Sequence, residues 1–338
     1  MTEPGRTIRV RGALLGSVVA DAFGSPFEGA SPRELPEAIG RRCARATPWR
    51  YTDDGAMVIA VAESLVQRRT VDPVHLMSRL EAHYDPARGF GRGMKLALDA
   101  FRRGVPWQDC AFVAWPEGSR GNGGAVRVVA IAVASWAGDE GRRLATEVAT
   151  RTTHAHDDAI AMANLQAAAL ALVTNEPHLA ADPSSFLTRL LGAVGGAGAR
   201  AAVLARVVDL LAAHAPAAEV ARTLGTSTLA TDSVPAALWA FLRHPSSYED
   251  AVAGAALLGG DVDSICCMAG ALAGAYHGDA GIPSQWLANL EGDDPRPTTL
   301  LDLADRVAAL VPEVVPAAAQ CHDVSLTELR VNHGLQDP

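Results

Sequence analysis

Aromatic side chains make up only 5% of the 338 residues, so small aliphatic side chains must fill the interior. Alanine, leucine, valine and glycine dominate, and such side chains let helices approach closely, which favours packed helices over a sheet. Lysine and arginine nowhere form a block, and 38 acids outnumber 29 basic residues for a net charge of −9. A nucleic-acid groove needs a concentrated basic surface, so the charge pattern argues against direct reading of nucleic acid. An anionic ligand would instead be held locally, by backbone amides, metal ions or single arginines. The five cysteines, Cys43, Cys110, Cys266, Cys267 and Cys321, include no C-x-x-C pair. They read as reduced thiols, with neither a disulfide framework nor a zinc site. The most apolar stretches are interrupted by Arg127, Arg200, Arg206 and Asp209, so none is an uninterrupted membrane span. Residues Met1 to Arg11 carry no hydrophobic signal region, and a cytoplasmic protein is expected. H-E-x-x-H and G-x-S-x-G are both absent, which removes support for zinc-protease and α/β-hydrolase chemistry.

What is present is helical. Period-2 runs of β-branched residues are confined to short pieces near either terminus, whereas the i, i+3, i+4 pattern recurs throughout. Ala13, Leu14, Ser17, Val18 and Asp21 belong to a small-residue helix, and a proline-bearing polar stretch runs on to Arg50. Further helices are predicted over 56–67, 74–83, 94–103, 125–136, 157–174, 183–192, 199–213, 233–242, 247–258, 264–277 and 300–311. No fixed-period repeat or low-complexity linker divides the chain. A single all-α domain over residues 1–338 is expected.

The strongest chemical signal is a pair of similar segments far apart in the chain. Thr52-Asp53-Asp54 opens one predicted helix, and Gly259-Gly260-Asp261-Val262-Asp263-Ser264 opens another. Carboxylates are favoured at helix starts, each by about 0.3–1 kcal/mol, because free N–H groups and the helix dipole stabilise them. Asp and Ser are also good N-caps, so each segment alone is explained by capping. Capping uses one such residue, however, and each segment offers three oxygen donors flanked by glycine. Brought together, four carboxylates would repel unless a cation compensated them. An oxygen-only donor set suits magnesium or manganese. Glu28, in the loop Gly24-Ser25-Pro26-Phe27-Glu28, is a third acidic candidate, although alone it would read as an ordinary surface glutamate.

Two glycine-rich loops could hold an anion. Gly118-Ser119-Arg120-Gly121-Asn122-Gly123-Gly124 runs straight into a predicted helix, where successive N–H groups can face a diphosphate; a flexible turn is the plainer reading. Arg88-Gly89-Phe90-Gly91-Arg92-Gly93 is similar, with Phe90 either stacking on a base or sugar or plugging the core. His154 and His156 have no third nitrogen or sulfur partner nearby, and His154 is read as a hydrogen-bonding group for a phosphate or sugar.

Taken in order, these pieces resemble the ADP-ribosylglycohydrolase family. The resemblance is carried by Gly12-Ala13-Leu14-Leu15-Gly16, Gly24-Ser25-Pro26-Phe27-Glu28, Tyr51-Thr52-Asp53-Asp54 and Arg88-Gly89-Phe90-Gly91. It continues through Gly121-Asn122-Gly123-Gly124-Ala125-Val126-Arg127, Thr153-His154, Gly259 to Ser264, Ala269 to Tyr276 and Ile282-Pro283. It implies a compact, orthogonal multi-helix domain with a binuclear magnesium cleft, manganese being a substitute. It implies Thr52, Asp53, Asp54, Asp261, Asp263 and Ser264 as metal ligands and Glu28 as the catalytic glutamate. Gly89, Phe90, Gly91, Gly118, Ser119, Arg120, Gly121, Asn122 and His154 become the ligand-binding set. Within the family the chain is most similar to the branch that removes ADP-ribose from serine and trims poly(ADP-ribose). The implied partner is ADP-ribose or an ADP-ribosylated protein, with ADP-ribosylated nucleic acid left open as an acceptor, and a monomer is expected.

Three departures stand out. Ser264 replaces the threonine usual in that branch, Val262 offers no hydroxyl between the paired acids, and Arg120 occupies a position where an aromatic residue is expected. The aspartate of the arginine-directed branch has no counterpart, since Gly89 or Phe90 fills the matching region and Asp85 lies too far upstream. Three alternatives stay open: an ADP-ribosyl-arginine hydrolase, a non-catalytic ADP-ribose-binding or toxin-neutralising protein, and a hydrolase of small nucleotide conjugates.

Overall fold

The structure is a computed structural model that describes residues 3–30, 33–45, 47–136, 138–195, 199–291 and 297–313. Among the described residues every regular element is a helix, and the extended backbone is limited to two isolated bridges, Trp49 with Leu290 and Gly121 with Leu229. The helices are α1 (Glu3–Gly24), α2 (Leu35–Ala44), α3 (Asp53–Arg68), α4 (Pro73–Ala82), α5 (Arg92–Arg102) and α6 (Trp107–Cys110). They continue with α7 (Gly123–Arg127), α8 (Val129–Val133), α9 (Asp139–Arg151), α10 (Asp157–Asn175), α11 (Pro183–Ala193) and α12 (Ala199–Ala212). The last are α13 (Ala217–Leu224), α14 (Ala230–Arg243), α15 (Tyr248–Ala256), α16 (Val262–His277), α17 (Ser284–Asn289) and α18 (Pro297–Ala308).

The core is organised on the pair α1 and α16, which has the most extensive packing in the molecule. Glycines make their close approach possible. A Cβ on Gly16 would stand 2.6 Å from the Gly270 carbonyl oxygen, a Cβ on Gly270 would stand 2.6 Å from the Gly16 carbonyl oxygen, and Gly12 and Gly274 face each other even more tightly. Farther along, Gly24 lies against Val262 and Asp263. Residue numbers rise on one helix as they fall on the other, so the pair is antiparallel. The C-terminal end of α1 therefore abuts the acidic start of α16.

Five of the scarce rings gather at this same end. Phe23 stacks on Trp286 at 4.4 Å, while Trp49, Phe27 and Tyr248 pack edge-on around them. Offset and edge-to-face pairs contribute about 0.5–1.5 kcal/mol each beyond burial. Trp49 is also tied through its backbone to Asn289 and Glu291, which fixes the strand of chain leading into Tyr51 and Thr52. Arg88 bonds the Tyr51 carbonyl at 2.6 Å and lies 3.8 Å over the Tyr51 ring, anchoring the loop before α5 to the start of α3.

Most predicted helices are present within a few residues of the expected ends. The stretch predicted as one helix over 125–136 is instead two five-residue pieces, α7 and α8, broken at Val128 (φ −75°, ψ 4°). Its run of β-branched residues (Val126, Val128, Val129, Ile131, Val133) lowers helix propensity. Residues 35–44, read as part of a polar loop, form α2, and α9 and α13 occupy stretches for which no helix was predicted. Near the N-terminus the expected period-2 piece lies in α1; the C-terminal piece and Cys321 lie outside the described residues.

Candidate functional site

Each acidic segment stands where a helix begins. Thr52 is the N-cap of α3, its hydroxyl accepting the Asp54 amide at 3.2 Å, so Asp53 and Asp54 occupy the first turn. Asp261 is the N-cap residue of α16, and its backbone N–H reaches the Thr226 carbonyl at 2.8 Å. Gly260, at φ +76°, makes that turn against Thr226 with no room for a side chain. The antiparallel seam then brings the two starts together: the Ser264 hydroxyl donates to Asp54 Oδ2 at 2.5 Å across 210 residues of sequence.

Asp53, Asp54, Asp261 and Asp263 thus line one cleft of about 420 Å³, together with Glu28, Thr52 and Ser264. Among the described residues, none of the four aspartates pairs with lysine or arginine. The surroundings raise the pKa of all four carboxyl groups. Burial, then the charges of Asp21, Asp261 and Glu28, push Asp53 up to about 7. Burial, then Asp21, Asp261 and Glu28, push Asp263 up to about 8. Asp54 is raised well above the ordinary carboxylate range by burial and then by Asp53 and Asp263, and Asp261 is raised by burial. A divalent cation would remove both causes at once, replacing lost hydration and cancelling repulsion. Oxygen atoms of Asp21, Asp54 and Asp263 lie within 4.8 Å of one another, a spacing that can hold a metal ion. The donor set is oxygen only, as hard cations require. The residues fit such an ion.

Asp21 is the residue that sequence reasoning missed. It lies in the last turn of α1, is fully buried, and accepts from the Thr52 amide at 2.8 Å, the Thr52 hydroxyl at 2.7 Å and the Gly55 amide at 2.9 Å. The available signal was a carboxylate on a helix face otherwise made of small apolar residues. Burial pushes it up to about 7 against those three hydrogen bonds.

The glycine loops are only partly as expected. Gly121 and Asn122 line the cleft, but their N–H groups are turned to Ser119 Oγ and the Thr228 carbonyl. The Asn122 side-chain amide donates to Asp261 Oδ2 at 2.5 Å and to Ser233; it braces the acids in place of reaching outward. Ser119 and His154 line the cleft as well. Gly118 and Arg120 do not. They face a neighbouring cavity of about 430 Å³ that shares Trp115, Ser119, Gly121 and Thr228 with the first. The Arg120 guanidinium turns to the His156 ring at 2.9 Å. Gly89 and Gly91 border the cleft, whereas Phe90 is 1% exposed and packs on Tyr84, so it is the core plug and no stacking surface. Glu28 is exposed at the cleft mouth.

His154 is buried against the loop: a Cβ on Gly121 would meet its Nε2 at 3.2 Å, and one on Gly123 its Cε1 at 3.0 Å. Burial, then the nearby Arg127 charge, push its pKa down to about 3, so it is a neutral imidazole. Arg127 itself is wholly buried and bonds the Ala149 and Thr150 carbonyls and the Thr152 hydroxyl at the end of α9. Arg88 and Arg92, the ends of the second glycine loop's motif, line the cleft as well, and so do Met57, Trp115 and Thr228, which nothing in the sequence pattern singled out.

The family profile described as ADP-ribosylglycohydrolase matches residues 2–316. The chain belongs to the ADP-ribosylglycohydrolase family. It is 31% identical over 336 residues to ADP-ribosylhydrolase ARH3 of Bos taurus, covering 84% of this chain and 89% of the relative. It is 26% identical over 298 residues to ADP-ribosylarginine hydrolase Tri1 of Pseudomonas putida, covering 82% and 73%. Among solved structures it is similar to an ADP-ribosylglycohydrolase-related protein complex, with a TM-score of 0.69, 26% identity and coverage of 91% and 99%. The all-α ADP-ribosylglycohydrolase fold is therefore that of this chain, and the family is one of hydrolases. No helix among the described residues is long and apolar enough to cross a membrane.

Proposed function

We propose that this ADP-ribosylglycohydrolase cleaves the glycosidic bond at the distal ribose of O-linked ADP-ribose conjugates, such as ADP-ribosyl-serine or poly(ADP-ribose), with two magnesium ions or manganese in their place. One observation carries the reading: two acidic helix starts, 210 residues apart in sequence, meet in one cleft, and among the described residues no lysine or arginine pairs with their carboxyl groups. Thr52, Asp53, Asp54, Asp261, Asp263 and Ser264 would hold the ions. Bound there, divalent ions supply Lewis-acid and template chemistry toward the vicinal hydroxyls of a ribose.

The chain's own residues do the rest. Glu28, at the mouth, gives a proton to the leaving oxygen as the anomeric C–O bond breaks. It then takes one from the water that adds to that carbon, a contribution of about 10²–10⁴-fold. Gly121, Gly123 and the neutral His154 form a wall without side-chain bulk or charge, against which the diphosphate lies. Ser119 and Trp115 border both cavities, and the adenosine end extends past them into the second one. The exposed Trp115 ring there supplies the aromatic surface that Arg120 does not. We assign the whole reading to a single domain, residues 1–338.

The relatives favour O-linked substrates, since the similarity to ARH3 is higher and covers more of the relative than the similarity to Tri1. The Tri1 similarity makes N-linked ADP-ribosyl-arginine the second reading. The test is a panel of serine-, arginine- and polymer-linked substrates assayed with magnesium, manganese or chelator, with Glu28→Gln as control. Release from serine and polymer, lost with chelator, is expected. Release from arginine alone would transfer the protein to the second reading, and tight ADP-ribose binding without any release would make it a reader.

A further inference from the structure

We propose that Asp21 is a positioning residue of the metal centre: it fixes the Thr52 hydroxyl so that a lone pair, and no hydrogen, faces the cleft, without itself ligating a cation. The proposal rests on the cation-binding reading of the cleft.

Position alone makes Asp21 a candidate ligand, because one of its oxygens lies within 4.8 Å of those of Asp54 and Asp263. Its hydrogen bonds assign it a different task. Oδ2 receives two backbone N–H groups, from Thr52 at 2.8 Å and Gly55 at 2.9 Å, which occupy both of its in-plane lone pairs. Oδ1 receives the Thr52 hydroxyl at 2.7 Å. Asp21 is fully buried and does not line the cleft, whereas Thr52 does.

The Thr52 oxygen has one hydrogen and two lone pairs. The hydrogen goes to Asp21 Oδ1, and one lone pair accepts the Asp54 amide at 3.2 Å. What is left is a single lone pair. Without Asp21 the hydroxyl could rotate its hydrogen outward and repel a cation. Hydrogen-bond partners behind metal ligands typically account for about 10–100-fold in metal affinity. Gly55 fits the same arrangement: a Cβ there would stand 2.7 Å from Asp21 Oδ2, so the glycine of Thr52-Asp53-Asp54-Gly55 leaves room for the carboxylate behind it.

The test titrates the full-length, chelator-stripped protein with Mn²⁺, reading heat and the free-ion paramagnetic signal; no turnover is involved. Asp21→Asn should weaken Mn²⁺ binding about 10–100-fold, because an amide N–H facing Thr52 turns its hydrogen toward the cleft. In a Thr52→Val background the same substitution should cost no more than about two- to three-fold, and in a Thr52→Ser background the full loss should return. Losses that multiply in the Thr52→Val background would make Asp21 a direct ligand, and wild-type affinity in Asp21→Asn would make it a structural cap; either overturns the proposal. If Asp21→Asn does not fold, Gly55→Ala, which presses on Asp21 Oδ2 and removes no oxygen donor, is run through the same cycle with the same criteria. A wild-type protein that binds no Mn²⁺ sinks the cation reading itself, and is told apart because it fails before any substitution is made.

Discussion

The proposed chemistry of the cleft turns on single carboxyl groups. Asp261 is braced by Asn122 and sits at a helix start; Asp261→Asn should abolish turnover and weaken cation binding, and unchanged magnesium-dependent activity would falsify its assignment. Glu28→Gln is expected to behave differently. Turnover should drop about 10²–10⁴-fold while Mn²⁺ affinity, read by calorimetry, stays near that of the unsubstituted protein. The raised acids also set a pH dependence. Burial and neighbouring carboxylates push Asp53 and Asp263 from the ordinary aspartate value of 3.8 up to about 7 and about 8. An acid that holds its proton more tightly when folded adds most stability below its unfolded pKa and loses it as pH rises through the folded one. The cation-free protein should therefore melt at progressively lower temperature between about pH 4 and pH 8. With saturating magnesium that slope should flatten, because binding the ion displaces the same protons. A cation-free melting temperature that rises over this window would contradict the carboxyl environment described.

At the scale of elements, the gauge of the cleft is set by how α1 crosses α16. Gly12→Ala would drive a methyl into the Gly274 backbone, and overpacking of this kind costs about 1–3 kcal/mol. Denaturant melts should show that loss, and Mn²⁺ affinity should fall with it, since Asp21 and Asp263 ride on the two displaced helices. Gly40→Ala is the matched control. It is helical, with open space around it, and should stabilise by about 0.4–1 kcal/mol. The same scale shows what the sequence made legible. Helix α4 was readable because its N-cap Asp72 and its apolar stripe agree, and α3 and α10, buried on nearly every side, were readable from long apolar runs that follow capped, acidic starts. Helix α9 was not, because its exposed surface is laced with Arg143–Glu140, Arg143–Glu147 and Arg151–Glu147 pairs and only Ala145, Thr146, Val148, Ala149 and Thr150 are buried. The site divides in the same way. Thr52 to Asp54 and Asp261 to Ser264 announce themselves as clustered donors at helix starts. Asp21 is a solitary acid whose purpose depends on where a distant amide lands, and Phe90 could be assigned to the core only once its neighbour Tyr84 was known.

For the molecule as a whole, a cation held in the cleft would join the first half of the chain to the last. At a concentration about 100 times its dissociation constant, a ligand that binds only the folded state adds about 2.7 kcal/mol, so chelation should lower the melting midpoint of the entire protein, not of one segment. Scanning calorimetry with and without chelator measures this. The few rings provide an independent witness. Trp49, Trp107, Trp239 and Trp286 are shielded and Trp136 is half-buried with its indole N–H on the Ile131 carbonyl, while Trp115, 42% exposed, stands on the ridge between the two cavities. Its emission should form the red edge of the protein's fluorescence, and a nucleotide settling across that ridge should quench or blue-shift that component while the shielded indoles hold steady. The chain thus carries its own optical gauge of occupancy, separable by wavelength from any report of unfolding.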